Sequence, residues 1–386
     1  MTEYILQAEK LTVGYGKPIL SELNFKIPSG VFVSLLGPNG VGKTTLLRTL
    51  SRHLKPKAGL IRLKGRPLDS FRASDLAKVL SVVLTDRAAP PLLSVLEFAA
   101  LGRHPHLSLM GKMGEADLKA VEEALNSVKA THLAGSFVDQ LSDGERQKAV
   151  LARALAQEPE LMILDEPTAH LDLKHRVEVM GLLRSLCASR RLTVLAAIHD
   201  VDLAAKVSDL VLMVRDGRLI AEGRPEDVLS SEAVAGLYDF DLADFSKHLG
   251  GVEVRSDGRA GRAFVVSGSD RTAMALRLLN KRGYALSASV PNHGDLDAHV
   301  ARALRGVLYP TGDSKSSEAA FKEAKEALAD CSILIDGQGS HGSAQEIELV
   351  EEAKKRGLAV LSLEGEDLTG LIAFLDRLEA MRSERL

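Results

Sequence analysis

A glycine-rich run near the start of the chain combines backbone flexibility with one lysine and two threonines. It consists of Gly37, Pro38, Asn39, Gly40, Val41, Gly42, Lys43, Thr44 and Thr45. The pattern is G-x-x-x-x-G-K-[ST], whose glycines let consecutive N–H groups surround a β-phosphate at the start of a helix. Lys43 would bridge the β- and γ-phosphates, and Thr44 would place its hydroxyl on Mg²⁺. The alternative is a glycine-rich turn that arose by chance.

Two adjacent carboxylates follow an apolar run later in the chain. The residues from Leu161 to Leu164 are apolar, and Asp165 and Glu166 come directly after them. A buried strand would deliver Asp165 to the magnesium ion and Glu166 to the water that attacks the γ-phosphate. Because a general base there must be a carboxylate or histidine within hydrogen-bond reach of the water, Glu166 is the candidate. Alternatively, the two carboxylates only cap the following helix.

Ser142 and Gly144 belong to a third segment, which lies between the two others. The N–H groups and the serine hydroxyl of this segment suit a second phosphate site at a helix N-terminus. The same residues also fit an ordinary capping box, because Glu145 stands three positions after Ser142. The sequence leaves both interpretations open.

Together the three segments resemble those of the ABC ATPases. Ser142 and Gly144 match the family's LSGGQ signature, whereas Asp143 and Glu145 depart from its commonest letters. The resemblance covers the chain from Tyr4 to about residue 229. It implies an ABC-type P-loop NTPase domain with a helical subdomain, an ATPase activity, and ATP and Mg²⁺ as cofactors.

The resemblance also implies roles for residues outside these segments. Tyr15 matches the aromatic ring that stacks on adenine, and His199 matches the switch histidine that contacts the γ-phosphate. The catalytic residues would then be Lys43, Glu166 and His199. The loop Ala169–Asp172 matches the segment that communicates between paired sites. In this family two copies close head-to-tail, so the resemblance implies a second copy of the chain as a partner.

One residue of the family pattern is missing. Where the family usually has a glutamine that touches Mg²⁺, this chain has Thr85, followed by Asp86. Thr85 could supply an oxygen ligand, and Asp86 could do so directly or through water, because Mg²⁺ usually keeps several waters. The substitution could instead mark an inactive enzyme.

The segment Ser94–His106 resembles a stretch of the importers for iron-siderophores, haem and cobalamin, where it lies near the permease. That resemblance implies permease subunits as partners and, indirectly, a substrate-binding protein. His104 and His106 form a pair without a nearby third ligand, which favours a structural or interface role over a metal site. A soluble ABC ATPase, for example in iron–sulfur assembly, and an exporter subunit are the alternatives.

Charge and composition limit the classes of function. The 386 residues carry a net charge of -3, which argues against nucleic acid as a partner. No apolar run approaches the roughly 20 residues of a membrane-spanning helix, and the start of the chain lacks a signal-peptide pattern. Cys187 and Cys331 are typical of thiols in a reducing compartment. We therefore expect a cytoplasmic protein that reaches the inner face of the membrane through the permease.

The elements that position these residues alternate between strands and helices along the chain. This alternation predicts an α/β fold with a mostly parallel sheet. We expect an ATP-binding domain over residues 1–240, with its helical subdomain at about 90–155. A boundary is predicted between Tyr238 and Gly251, and a smaller doubly wound, Rossmann-like α/β domain over residues 251–386.

The pattern of the C-terminal part supports that second domain. Its candidate strands are Ala263–Val266, Ala285–Val290, Ser332–Ile335 and Leu358–Leu363. Its candidate helices are Arg271–Arg282, Ser316–Ala329, Ala344–Arg356 and Leu368–Arg382. The loop Ser267–Thr272 could bind an anion, although it lacks G-x-G-x-x-G and also fits a plain strand-to-helix turn. Similar extensions on some importer ATPases suggest a regulatory or ligand-sensing role.

Overall fold

The fold of the chain was analysed in a computed structural model. It describes residues 3–84, 92–107, 111–239, 243–246, 249–269, 271–291, 294–311, 315–338, 342–363 and 368–383. The chain divides into two units, Met1–Leu229 and Ser230–Leu386. This division lies upstream of the boundary that the sequence predicts between residues 238 and 251, because one further helix groups with the second unit. The functional extents of the two domains stay predictions.

The first unit contains ten strands and eight α-helices within the described ranges. The strands are β1 (Tyr4–Val13), β2 (Leu20–Pro28), β3 (Phe32–Leu36), β4 (Ala58–Leu63), β5 (Arg66–Pro67), β6 (Leu80–Val83), β7 (Leu161–Asp165), β8 (Thr193–Ala197), β9 (Leu210–Arg215) and β10 (Arg218–Gly223). The α-helices are α1 (Lys43–Leu50), α2 (Ala73–Val79), α3 (Val95–Ala100), α4 (Glu115–Ser127), α5 (Asp143–Ala156), α6 (Leu173–Arg190), α7 (Val201–Val207) and α8 (Pro225–Val228). Short 3-10 helices span Leu68–Ser70, Leu101–His106, Thr131–Leu133 and Val138–Gln140.

Two sheets share the core of this unit. The larger sheet has the order β10-β9-β3-β8-β7-β6, and all its neighbours are parallel except β10 and β9. The smaller, antiparallel sheet has the order β2-β1-β4-β5. Every residue of β3, β7 and β8 is buried, as is typical of strands covered on both faces. The carboxyl ends of these three strands therefore meet at one edge.

The helical subdomain predicted at about 90–155 corresponds to a group of helices inserted between β6 and β7. Among the described residues it contains α3, α4 and α5 together with three of the 3-10 helices. Ser94 caps α3 through a capping box with Glu97, and the buried side chains of Val95 and Phe98 form its apolar face. This group presents the start of α5, where Ser142 lies.

The second unit has its own sheet and helices. The strands are β11 (Ala243–Ser246), β12 (Gly251–Val254), β13 (Arg262–Val266), β14 (Ala285–Val290), β15 (Val307–Pro310), β16 (Cys331–Asp336) and β17 (Ala359–Ser362). The helices are α9 (Ser231–Tyr238), α10 (Thr272–Lys281), α11 (Leu296–Ala303), α12 (Lys315–Ala327), α13 (Ala344–Lys355) and α14 (Thr369–Ser383), with a 3-10 turn at Leu328–Asp330. β11 and β12 form an antiparallel pair.

The main sheet of the second unit is parallel, with the order β15-β14-β13-β16-β17. Along β13, Ala263 and Val265 face one apolar cluster and Phe264 and Val266 face another. The first cluster includes side chains of α10, α11 and α14, and the second includes those of α12 and α13. Helices thus cover both faces, which is the doubly wound arrangement that the sequence predicts.

Candidate functional site

The glycine-rich loop connects β3 to α1 at the carboxyl edge of the larger sheet. Gly42 caps α1 with a φ of 111°, and no side-chain hydrogen bond caps this helix. A Cβ on Gly37 would lie 2.5 Å from the Val214 carbonyl oxygen, and one on Gly42 would lie 2.6 Å from Ile19 Cγ2. Both positions therefore require glycine, and the first N–H groups of α1 point toward the space that a phosphate would take.

Lys43 lies inside the loop. Its Nζ donates to the carbonyl oxygens of Gly37 at 2.7 Å and Pro38 at 3.0 Å, and the residue is 6% exposed. Burial lowers the pKa of Lys43, while the charges of Glu166 and Asp165 oppose that change. The ammonium is therefore held beside the two carboxylates, where phosphate oxygens could replace the loop carbonyls as its partners.

The two carboxylates stand where β7 ends. Asp165 is 3% exposed at the last position of the strand. Glu166 follows with a φ of 51°, and its N–H donates to the carbonyl oxygen of Ala197 on β8 at 3.2 Å. Its Oε1 lies 2.5 Å from Nε2 of His199. The structure thus brings together Glu166 and His199, which are 33 positions apart in the sequence.

The oxygen ligands predicted for magnesium are of the kind that this ion prefers. Thr44 lies in the first turn of α1 and offers a hydroxyl, and Asp165 offers a carboxylate beside Lys43. Mg²⁺ binds through one or two carboxylates together with phosphate oxygens and waters, so this donor set fits it. Thr85, the third predicted ligand, lies outside the described residues, as does Asp86.

Two other predicted site residues are on the surface of the first unit. Tyr15 is 56% exposed, and its hydroxyl accepts a hydrogen bond from Nη1 of Arg48 at 3.1 Å. The ring is therefore accessible for stacking. In the importer-like segment, Nε2 of His106 lies 2.9 Å from the carbonyl oxygen of Gln157. No group of three or more His, Cys, Asp or Glu side chains suited to a metal occurs among the residues that the structure describes.

The start of α5 shows the capping box. Ser142 Oγ donates to Glu145 Oε2 at 2.6 Å and accepts from the N–H of Glu145 at 3.4 Å. The hydroxyl and the backbone N–H of Ser142 both donate to the Glu145 carboxylate, and these two bonds hold the pKa of Glu145 below its usual range. Capping and phosphate binding are compatible, because an exposed serine hydroxyl can exchange one acceptor for another. Gly144 follows within the first turn.

Two residues that the sequence does not single out are fixed in this unit. Arg103 is 5% exposed and lies between two carboxylates. His175 lies against Gly144. An arginine directly after Gly102 and a D-x-x-H spacing that begins at Asp172 are the signals that could have identified them.

Comparisons with known proteins identify the family. A sequence model described as "ABC transporter" matches residues 20–169. An uncharacterized ABC transporter ATP-binding protein of Methanocaldococcus jannaschii is 40% identical over 282 residues, which are 72% of this chain and 97% of the relative. The chain belongs to the ABC transporter ATP-binding family. As an ABC ATPase, it binds and hydrolyses ATP.

Other ABC proteins resemble this ABC ATPase over different lengths. The ferric enterobactin transport ATP-binding protein of Escherichia coli is 37% identical over 62% of this chain and 89% of the relative. The cobalamin import ATP-binding protein of Halobacterium salinarum is 31% identical over 95% of this chain and 92% of the relative. The second match therefore includes the C-terminal unit.

Solved structures support the same assignment for the first unit. A metal-chelate type ABC transporter in an inward-facing conformation matches with a TM-score of 0.54 and 30% identity, over 61% of this chain and 88% of that chain. A dimeric bacterial ABC transporter cassette matches with a TM-score of 0.51 and 27% identity, over 57% and 98%. None of the helices in the described ranges has the length and hydrophobicity of a membrane span.

Proposed function

We propose that this ABC ATPase powers a membrane importer whose cargo is an iron-siderophore, haem or cobalamin-type compound. The observation that carries the proposal is the match of nearly the whole chain to a cobalamin import ATP-binding protein. The shorter match to a ferric enterobactin transport subunit supports the wider cargo class. The metal-chelate type transporter among the structural neighbours supports it as well.

The proposed partners follow from the organisation of the site. The chain contains one phosphate loop and one Ser142 segment, so a second copy would complete each ATP site from the opposite side. The dimeric cassette among the structural neighbours supports a pair of chains, and we propose that the pair is head-to-tail. Integral permease subunits and a substrate-binding protein would complete the importer. The ATPase would then be cytoplasmic and attached to the inner face of the membrane through the permease.

In the proposed mechanism, water attacks the γ-phosphate of ATP while Glu166 orients it or accepts its proton. The 2.5 Å contact with His199 fixes the direction of the Glu166 carboxylate. Lys43, the α1 amides, His199 and Ser142 of the second copy stabilise the negative charge that develops on the phosphate oxygens. Thr44 and Asp165 would hold Mg²⁺, which neutralises part of that charge when it is bound.

We propose a regulatory role for the C-terminal unit. The siderophore-related match covers 241 residues of this chain, whereas the cobalamin-related match covers 375. The ATP-site residues from Tyr15 to His199 all lie in the first unit. The second unit is therefore not needed to form the phosphate loop, and it is available to adjust the activity of the first.

Affinity purification of the full chain from its native membranes tests the importer proposal. We expect an integral permease to be recovered in detergent, and its recovery to depend on the surface of the Ser94–His106 segment. Leu101 lies in this segment and is 50% exposed. The substitution Leu101→Glu introduces a charge there and should reduce permease recovery, because a charge at an apolar interface is costly. Ile220→Glu, at a 48%-exposed position on β10, is the matched control. Recovery of only soluble partners would contradict transport.

A further inference from the structure

The first turn of α5 is in contact with a histidine from another helix. A Cβ on Gly144 would lie 2.5 Å from Cδ2, 2.7 Å from Cγ and 2.8 Å from Nε2 of His175. Contacts below 3.0 Å to three atoms of one ring mean that the imidazole occupies the space a side chain at position 144 would need. The ring of His175 therefore packs directly against Gly144, and a side chain at position 144 would displace it.

The orientation of that ring is set by Asp172. Oδ1 of Asp172 accepts a hydrogen bond from the backbone N–H of His175 and lies within hydrogen-bond distance of its Nδ1, both at 2.8 Å. The bonds from His175 hold the pKa of Asp172 below its usual range, so the carboxylate is ionised at neutral pH. Asp172 thus caps α6 and at the same time holds the imidazole.

A second contact joins the same two helices one turn further on. Lys148 on α5 forms an ion pair with Glu178 on α6, with 2.8 Å between Nζ and Oε2. Lys148 is four positions after Gly144, and Glu178 is three positions after His175, so both pairs lie on facing sides of the helices. Two side-chain contacts, His175 with Gly144 and Lys148 with Glu178, therefore connect the N-terminal turns of α5 and α6.

These two contacts connect the two segments that meet the second copy in the proposed dimer. Ser142 and Gly144 begin α5, and the loop Ala169–Asp172 ends where α6 begins. We propose that His175 is a positioning residue that sets the start of α5 relative to this loop, so that both reach the second copy in the correct relative orientation. This inference rests on the proposed head-to-tail dimer.

Substitutions at His175 separate this role from simple helix capping. His175→Ala removes both the ring and the side-chain bond to Asp172, while the backbone N–H bond that caps α6 remains. His175→Asn places a nitrogen near the Nδ1 position and can keep the bond to Asp172, but it lacks the ring atoms that touch Gly144. His175→Phe keeps a ring against Gly144 and loses the bond. Val177→Ala, at a 57%-exposed position on α6, is the matched control.

The variants are compared in the full chain by ATP hydrolysis and by dimerisation. Because misplacing a reacting group by 1 Å can cost up to about a hundredfold, we expect His175→Ala to lower kcat roughly tenfold. ATP-dependent dimerisation, followed by size-exclusion chromatography with Glu166→Gln as background, should weaken by a similar factor. The affinity of the single chain for ATP should not change, since the phosphate loop is untouched. We expect His175→Asn to behave like His175→Ala, and His175→Phe to recover part of the activity.

Three results would decide against the role of His175. One is a kcat and a dimer affinity of His175→Ala within about twofold of the wild type. Another is full recovery by His175→Asn, which would mean that only the side-chain bond to Asp172 matters and not the ring against Gly144. The third is equal loss in Val177→Ala. If Glu166→Gln alone does not dimerise with ATP, the proposed dimer itself is wrong, which is a different outcome from failure at His175.

Discussion

Glu166 adopts a backbone conformation that residues with side chains rarely occupy. Its φ of 51° turns the chain directly after the buried strand β7, and such a conformation persists only where the surroundings hold it. The bond from its N–H to Ala197 and the contact with His199 do so here. These constraints hold the carboxylate close enough to the phosphate loop for its charge to act on Lys43, and a general base must lie near the γ-phosphate.

Exchange of Glu166 for glutamine tests that assignment. Glu166→Gln keeps the size of the side chain and removes its ability to accept a proton, so we expect hydrolysis to fall by about a hundredfold or more while ATP binding is retained. The measurement is phosphate release together with ATP-dependent dimer formation. Glu160→Gln, which changes an exposed carboxylate just before the start of β7, is the control. Hydrolysis by Glu166→Gln at the wild-type rate would exclude Glu166 as the base.

The residues of the site could be predicted from the sequence because each lies in a local pattern. The phosphate loop and the Asp165–Glu166 pair follow buried strands, and carboxyl ends of parallel strands meet at one edge. The resemblance assigns His199 to the γ-phosphate, whereas its contact with Glu166, 33 positions away, is shown by the structure. The contact of His175 with Gly144 could not be predicted, because it depends on how α5 and α6 approach each other in space.

At the scale of the elements, hydrophobic pattern and length decided which ones could be recognised. Apolar runs such as β7 and β8, and glycine-terminated helices, were identified within a few residues. Gly283 and Gly357 come directly after the predicted helices Arg271–Arg282 and Ala344–Arg356, and their φ values of 85° and 78° are those of residues that end a helix. The hydrophobic pattern of the sequence does not predict β15 and α11. β15 has only four residues and ends in Pro310, and α11 has eight residues. Elements this short carry weak periodicity.

Arg103 joins two of these elements. Its Nε donates to Asp117 Oδ1 on α4 at 3.0 Å, and its Nη1 donates to the carbonyl oxygen of Ala156 at 2.8 Å and to Glu158 Oε2 at 2.6 Å. Gly102 packs against the same turn, since a Cβ there would lie 2.0 Å from the Arg153 carbonyl oxygen. The importer-like segment is thereby attached to the C-terminal end of α5.

We expect Arg103→Met to lower the free energy of unfolding by about 3 kcal/mol, because it leaves a partly buried carboxylate and a carbonyl without their donor. The measurement is urea unfolding of the full chain. Arg62→Met breaks an ion pair with Glu9 whose side chains are 33% and 49% exposed, and it should cost at most about 1 kcal/mol. Equal losses in the two variants would show that the buried position of Arg103 adds nothing to stability.

At the scale of the whole molecule, the two units have separate hydrophobic cores. The core around the larger sheet draws its buried residues from positions 5 to 214, and the two clusters around the C-terminal sheet draw theirs from positions 263 to 375. α9 belongs to the second unit: Ser231 Oγ donates to the carbonyl oxygen of Phe245 on β11 at 2.6 Å. The sequence predicts a later boundary, between Tyr238 and Gly251, because acidic residues and Gly250–Gly251 interrupt the pattern there.

The division after Leu229, and not after residue 238, predicts how shortened chains behave. A fragment of residues 1–229 ends between the units and keeps every site residue, so we expect it to be soluble and to hydrolyse ATP. A fragment of residues 1–250 keeps α9 and β11 but loses β12, which pairs with β11, and α11, which contacts it. The side chains of Val234, Leu237 and Phe245, which are buried in the full chain, would become exposed to solvent. The edge of β11 would also be unpaired, and exposed apolar surface and strand edges promote aggregation. Soluble yield and the fluorescence of a dye that binds exposed apolar surface compare the two fragments. If the longer fragment is as soluble as the shorter and binds no more dye, α9 belongs with the first unit after all.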